Sequence, residues 1–431
     1  MPTIERVALL RVTAEVSARN MYIHYEMDQK FRGALRIGFP FDLTEYKSSA
    51  EYIFGIWGGI FLAQLCLAES VVLENTYDDE AWASMDTVTR NLYDIRSYRD
   101  QLDFLDMPKV YGTRPPKTDP CSIANEKRAC LLWSGGTDST LALNLLHKND
   151  YDIVPIHVKI NTGAVDGELA AVQLMSDLLQ IDLQIVEYEF EEYLQIAKTY
   201  SNVIDIYPHN NPVPHGRELI LVPIAVMFSL KYNAPYICLG HENNAWTRVI
   251  EYKGRKIYRC DTQSQPSNVA MQNFIRSYLQ SPIRIFSAVA PLSDFLKFKL
   301  LSSIEPSLLA STNACFWGDW CGECSKCSLY YMLQRMLGID QVKFKRNPLQ
   351  SSAILKRIVD EWQDETQTNW SEYQLAFHDI VKQGYYSSDD QLIVKYKELV
   401  YPHMQSRIPA IRERLTKIHS VELMPDGFVI K

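Results

Sequence analysis

Apolar and polar positions along this chain change period at one stretch in particular. Residues 129–147, ACLLWSGGTDSTLALNLLH, run apolar from Ala129 to Trp133, turn polar for six residues, and resume with Leu141, Ala142, Leu145 and Leu146 at helical spacing. That pattern predicts a buried strand, a tight turn and a helix. The alternation continues to about residue 306, with strands predicted at 153–160, 183–190 and 236–240 and helices at 166–179 and 218–232. Strand alternating with helix is the signature of a mostly parallel sheet, whose ligands sit beyond the carboxyl ends of the strands. Residues 134–139, 159–163 and 240–244 then surround one crevice.

Before this region, mixed alternation predicts short strands at 4–12, 21–26 and 34–39, and helices at 52–68 and 81–104, a small α+β domain over residues 1–106. Its aromatic residues (Tyr22, Tyr25, Phe31, Phe39, Trp57 and Phe61 among them) are dense enough to suggest either a core or a docking surface for a partner protein. Residues 107–128, with Pro108, Gly112, Pro115, Pro116 and Pro120, read as a linker. Residues 129–335 form the α/β domain, and the tail, 336–431, reads as amphipathic helices. In the tail Ser352 is placed to cap one helix and Ser371 a second, and a third runs over 409–419 with Pro409 in its first turn.

The turn itself carries chemistry. Gly135 and Gly136 remove the Cβ atoms that would keep a ligand off the backbone, the amides opening the helix point to the same place, and Ser134 and Ser139 add hydroxyls, so an anion is the natural occupant. A Walker loop would need Lys where Asp138 stands. An ordinary Gly-Gly turn capped by Asp138 or Ser139 is the competing reading. Around the crevice, HGREL (215–219) places Arg217 at a helix opening, where it could meet phosphate or carboxylate or simply be a surface arginine; Gly240 ends a strand, and His215 and His241 form only a weak metal pattern.

A second signal lies at residues 312–331. Cys315, Cys321, Cys324 and Cys327 have the spacing for four thiolates to converge on a tetrahedral Zn²⁺, with an iron–sulfur cluster or disulfides as competitors. Four thiolates leave no open position, so such an ion is structural. The other five of the nine cysteines are scattered.

Composition narrows the class. At 431 residues with 47% hydrophobic and 22% charged residues, the chain has room for two or three globular domains. No signal peptide is legible at the N-terminus, and residues 220–230, read as the longest apolar stretch, are too short to cross a bilayer, so no membrane association and a cytoplasmic, reducing compartment are expected. A net charge of −8 argues against a general nucleic-acid binder.

At SGGTDS the chain resembles the PP-loop ATP pyrophosphatase superfamily, whose members cleave ATP between the α and β phosphates. With a four-cysteine cluster about 180 residues later, residues 129–335 resemble the 7-cyano-7-deazaguanine synthase (QueC) family. HGREL, Gly240, Cys260 with Asp261 (the family's Asp-Cys pair in reversed order), and Pro291, Leu292 and Lys297 match its other segments in this sequence. Ile160–Gly163, Glu218 and the shorter first cysteine gap depart from it.

The resemblance implies an adenine nucleotide alpha hydrolase-like fold, and ATP bound by Ser134, Gly135, Gly136, Thr137, Asp138, Ser139 and Gly240. It also implies Mg²⁺ near Asp138, catalytic roles for Asp138, Arg217 and Lys297, and Zn²⁺ on the four cysteines. The N-terminal domain and long tail resemble QueC-like proteins of antiphage systems of the Qat and CBASS kinds. An adenylated 7-deazaguanine carboxylate would there be joined to an amine on a partner protein from the same defence operon. A nitrile synthase using ammonia and an inactive nucleotide-binding scaffold are the alternatives.

Overall fold

The computed structural model describes residues 6–74, 79–112, 126–160, 166–189, 196, 199, 216–304, 306–315, 320–367, 369–419 and 423–430. The first half of the chain runs β1 (Leu9–Ser17), β2 (Asn20–Met27), β3 (Phe31–Gly38), α1 (Lys47–Cys66), β4 (Ser70–Glu74), α2 (Asp79–Ser84), α3 (Asp86–Arg99) and β5 (Lys109–Gly112). The α/β region follows with β6 (Arg128–Leu132), α4 (Thr137–Lys148), β7 (Asp152–Ile160), α5 (Asp166–Leu179), β8 (Gln184–Tyr188), α6 (Glu218–Tyr232) and β9 (Tyr236–Leu239). It continues through α7 (Asn243–Thr247), the hairpin β10 (Val249–Tyr252) and β11 (Arg255–Tyr258), α8 (Gln265–Tyr278), β12 (Arg284–Ser287) and α9 (Asp294–Ile304).

Strands β12, β9, β6, β7 and β8 lie side by side and all parallel. β6 is central, and its alternate residues enter different cores: Cys130 packs with α6 and α8, Ala129 and Leu131 with α4 and α9. A strand covered on both faces must be apolar throughout, which is why 129–133 reads as an unbroken run. The parallel α/β fold expected from the pattern is therefore present.

The boundary expected near residue 106 does not divide the sheet. β3 pairs antiparallel with β8 through Ile37↔Tyr188 and Gly38↔Glu187, so one sheet of 10 strands runs β12-β9-β6-β7-β8-β3-β2-β1-β4-β5. β4 and β5 are strands that the pattern did not predict, and β5 lies inside the expected linker; Pro115, Pro116 and Pro120 fall outside the described residues. The helix expected over 81–104 is broken into α2 and α3 at Met85.

The aromatic surplus of residues 1–106 is spent inside. Tyr25, Phe39, Tyr52, Phe54, Trp57 and Phe61 are buried, with Phe39 against Phe228 and Trp57 against Phe274. α1 lies between the N-terminal strands on one side and α6 on the other, so it is apolar on every face and offers no docking stripe. It is also long and apolar enough by composition to cross a membrane, longer than the stretch at 220–230, yet 89% of that window is buried within the fold.

The tail completes the second core. α10 (Pro306–Ser311) and α11 (Ser325–Leu337) lead to α12 (Pro348–Ser351), α13 (Ala353–Asp360), α14 (Trp370–Gln383), α15 (Gln391–Leu399), α16 (Tyr401–Met404) and α17 (Ile408–Thr416). Ser352 caps α13 as expected, accepting from Leu355 N at 3.3 Å. Ser371 caps nothing: α14 starts one residue earlier, after Asn369 in the left-handed region (φ +56°), a conformation that Asn tolerates. The final residues return to the first βα unit, where Phe428 packs on Tyr151 and Phe286 and Val429 exchanges two hydrogen bonds with Asn149.

Candidate active site

The turn after β6 is held from within and open at its amides. Gly135 has φ +79°, and a Cβ there would come within 3.0 Å of Val172. The Ser139 hydroxyl accepts from Ser134 N at 3.2 Å and meets Ser134 Oγ at the same distance, while Gly136 N donates to Ser134 Oγ at 3.3 Å. Neither Asp138 nor Ser139 caps the helix, since α4 opens on Gly136 with no side-chain cap. Its first-turn amides have no carbonyl of their own helix to bond, which leaves them for an anion. Gly240 is a packing requirement of this turn: a Cβ there would stand 3.0 Å from Ser139 N and 3.2 Å from its Cα.

Asp138 faces into a buried charge cluster. Its Oδ1 pairs with the Lys297 ammonium, which also reaches Asp294 Oδ1 at 2.9 Å. Lys297 is 2% exposed, and burial would lower its pKa, but Asp138, Asp294 and Glu242 outweigh that and hold it well above the usual value. Burial would likewise raise the Asp294 carboxyl; Lys297 and Lys326 hold it below its ordinary range instead. Asn369, from the start of α14, donates to Asp294 Oδ2 at 2.7 Å.

Glu242 caps α7, accepting from Asn244 N at 2.6 Å. Burial, with Asp294 repelling it, pushes its carboxyl up to about 8. Glu372 of α14, buried and bonded to Asn244, is pushed up to about 7 by burial and Asp294.

Arg217 stands in a hydrogen-bonded knot at the opening of α6. Its Nε donates to Glu218 Oε1 at 3.1 Å, and the same carboxylate takes Gln263 Nε2 at 2.8 Å, His241 Nε2 at 3.4 Å and the Thr262 hydroxyl. Glu218 is 2% exposed, yet Arg217, His241 and Thr262 overcome the burial cost and hold it well below the ordinary carboxylate range. With Nε fixed, the half-exposed guanidinium has two terminal nitrogens with no hydrogen-bond partner among the described residues, as an anion would need. Glu168, on α5 beside the turn, is pushed up to about 7 by burial against the opposing pull of Arg217.

His241 is thus a hydrogen-bond partner of Glu218, and His215 and residues 161–163 lie outside the described residues. The Cys260 thiol is pushed up to about 11 by burial, which makes it a poor nucleophile.

The four cysteines converge. Their sulfurs lie within 4.8 Å of one another, with Cys315 to Cys324 at 3.9 Å and Cys321 to Cys327 at 3.8 Å. A single tetrahedral ion with metal–sulfur bonds of about 2.3 Å puts its sulfurs about 3.8 Å apart, so the set fits one ion and is too tight to wrap a four-iron cube. The amides of Cys321, Glu323, Cys324 and Cys327 donate to these sulfurs at 3.3–3.5 Å, as thiolates require. No disulfide forms among the described cysteines. The segment touches the turn twice: Asn313 N donates to Gly135 O at 2.9 Å, and Tyr330 OH bonds Thr137 Oγ1.

The structure therefore gathers Ser134–Ser139, Lys297 and Gly240 at one set of strand ends, while Arg217 lies within electrostatic reach of Glu168, whose carbonyl stands beside Gly135. Residues 128–332 match the family model of the queuosine biosynthesis protein QueC. That span runs from the first residue of β6 into α11 and contains both the turn and the cysteines, so the part of the chain that carries both candidate sites is the part that is similar to QueC. No curated protein matches the chain. Among solved structures the chain is similar to the U34-tRNA thiolase NcsA from Methanococcus maripaludis with its [4Fe-4S] cluster. The identity is 15% over 64% of this chain and 73% of that one, with a TM-score of 0.21.

Sequence reasoning missed Glu218, Glu242, Asp294, Lys326, Asn369 and Glu372. Of these, Glu218 and Glu242 had a local signal, since both stand inside polar segments at element ends that had already been set beside the crevice.

Proposed function

We propose that this protein is an ATP-dependent carbon–nitrogen ligase that adenylates a 7-deazaguanine carboxylate and passes the acyl group to an amine, on a partner protein in antiphage defence. The observation that carries the ATP half of this reading is the uncapped turn Ser134–Ser139 with Asp138 against Lys297, inside the QueC-like segment.

In the first step a carboxylate oxygen attacks the α-phosphorus and pyrophosphate leaves with the electron pair of the broken P–O bond. The turn amides and the hydroxyls of Ser134 and Ser139 bind the phosphates, and the terminal nitrogens of Arg217 hold charge that develops on them. Lys297 supplies a buried cation next to Asp138, where carboxylate and phosphate would otherwise repel. Mg²⁺ held at Asp138 would add Lewis-acid stabilisation of the leaving group. In the second step the amine nitrogen attacks the acyl carbon and AMP departs. Zn²⁺ is the ion proposed for the four thiolates, in a structural role.

Exchange of labelled pyrophosphate into ATP, dependent on 7-carboxy-7-deazaguanine, tests adenylation. A mass increase on a genomic partner protein tests the acceptor. No carboxylate-dependent exchange would leave a nucleotide-binding scaffold and sink the ligase reading. The burial of the N-terminal aromatic residues favours the second reading, a nitrile synthase that takes ammonia, because it removes the surface expected to hold a partner. Free nitrile from ammonia with no change in partner mass decides for it.

A further inference from the structure

The second step needs something that the residues named so far do not provide. An amine arrives at neutral pH as an ammonium, which has no lone pair, and the groups around the turn that bind phosphate are cationic. A proton acceptor is required beside the crevice, at the carboxyl ends of the strands, and it must be a residue that phosphate binding does not occupy.

Glu242 meets these conditions by position. It is two residues beyond Gly240, whose backbone abuts Ser139, so it leaves β9 on the side where the turn opens. Its Oε2 is fixed by the Asn244 amide at 2.6 Å, which orients the carboxyl group and leaves Oε1 without a partner among the described residues. It lies within electrostatic reach of Asp138, Asp294, Lys297 and Lys326, so it borders the phosphate cluster without being hydrogen-bonded into it. Arg248, just after α7, and Cys260 are also within electrostatic reach of it.

Resting on the ligase reading above, we propose that Glu242 is the general base of amide formation: it takes the proton from the incoming ammonium nitrogen, which then attacks the acyl carbon as AMP leaves. The first proton passes to the carboxylate, the new C–N bond takes the nitrogen lone pair, and the acyl–oxygen bond breaks with its electrons on AMP; the second proton, acidic on the positively charged nitrogen of the adduct, leaves to water. Burial raises the carboxyl to about 8, near the working pH, where a base is most effective. The active form is the carboxylate, so transfer should rise with pH and level off above about 8.

The plain alternative is that Glu242 only caps α7. Hydroxylamine separates the two, because it is largely unprotonated at neutral pH and needs no base to attack an acyl-adenylate. The experiment uses the full chain with ATP, Mg²⁺, 7-carboxy-7-deazaguanine and either ammonium chloride or hydroxylamine, comparing wild type, Glu242→Gln and Glu242→Asp.

The expected result is a loss of roughly 10²-fold in ammonium-dependent product for Glu242→Gln, with hydroxamate formation and pyrophosphate exchange within about tenfold of wild type. The inflection near 8 should disappear in that variant, and Glu242→Asp should restore part of the rate. Equal loss of hydroxamate and ammonium product assigns Glu242 to the cap and overturns the proposal, as does a Glu242→Gln variant that uses ammonium at the wild-type rate. Absence of carboxylate-dependent exchange in the wild type overturns the ligase reading, and this assignment falls with it.

Discussion

The turn at 134–139 and the knuckle at 321–327 use one local device for different occupants. Each puts a glycine in the left-handed region, Gly135 at φ +79° and Gly322 at φ +83°, just before a helix, and each turns a set of backbone amides inward. At the knuckle the amides are consumed by sulfur, and Cys324 itself caps α11 by accepting from Cys327 N. At the turn no side chain caps α4 and the amides wait for a ligand. The difference lies in what the side chains offer: thiolates bring their own negative charge to the amides, whereas two serines and two glycines bring none and the carboxylate of Asp138 is paired with Lys297. On the function proposed above, one site would be finished by a metal as part of folding, and the other by a substrate during turnover.

Removing a cysteine should break this contrast most severely. Cys327→Ala leaves three thiolates crowded in a site that is nearly closed to solvent, and metal-binding energy at such sites is folding energy. We expect zinc content to drop from one equivalent to near none and stability to fall by several kcal/mol. Elemental analysis with thermal unfolding reads both; full zinc occupancy in the variant would take Cys327 out of the ligand set. Asp138→Ala comes next. Lys297 keeps Asp294, so folding should survive, while pyrophosphate exchange should fall by roughly 10²-fold or more. Wild-type exchange in that variant would remove Asp138 from the chemistry.

Both devices were legible in the sequence because each is written in consecutive or closely spaced residues. The alternation of strands and helices over 128–306 was legible for the same reason. What could not be read depends on distant partners. The join of β3 to β8 rests on two register pairs and the Arg36–Glu189 ion pair, with no local pattern to announce it. Asp294 and Asn369 are 75 residues apart and look like ordinary polar positions until the fold brings them together. α1 left two readings open: its dense aromatics allowed either a core or a docking surface, and what decides for the core, a sheet on one side and α6 on the other, lies in the tertiary structure.

Gly240→Ala sharpens the comparison from the side of the turn. The added methyl would press on the Ser139 backbone at 3.0 Å and Cβ at 3.3 Å, while the knuckle is not touched. We expect a stability loss of about 1–3 kcal/mol and a KM for ATP raised by roughly tenfold, with zinc unchanged. A variant with wild-type KM would mean that the first turn of α4 is placed independently of β9.

The smallest effect belongs to the bond that joins the two devices. Tyr330 OH meets Thr137 Oγ1, so a residue of the helix opened by Cys324 touches the first residue of the helix opened by Gly136. Tyr330→Phe removes that hydroxyl but keeps the ring, which stacks on Phe298 at 5.3 Å and meets Trp320 edge-on at 5.6 Å. Thr137 Oγ1 still has Asp138 Oδ1 at 3.3 Å, so no buried hydroxyl is left without a partner. The loss should therefore stay near the value of one hydrogen bond, about 1 kcal/mol. Thr137→Val removes the other end of the same bond. If the contact couples knuckle and turn, the double variant should be less destabilised than the sum of the singles by about 1 kcal/mol in a thermal unfolding cycle. Additive losses would show that the metal segment and the nucleotide turn share a core without sharing this bond, and that loss of zinc reaches the turn only by unfolding the segment beside it.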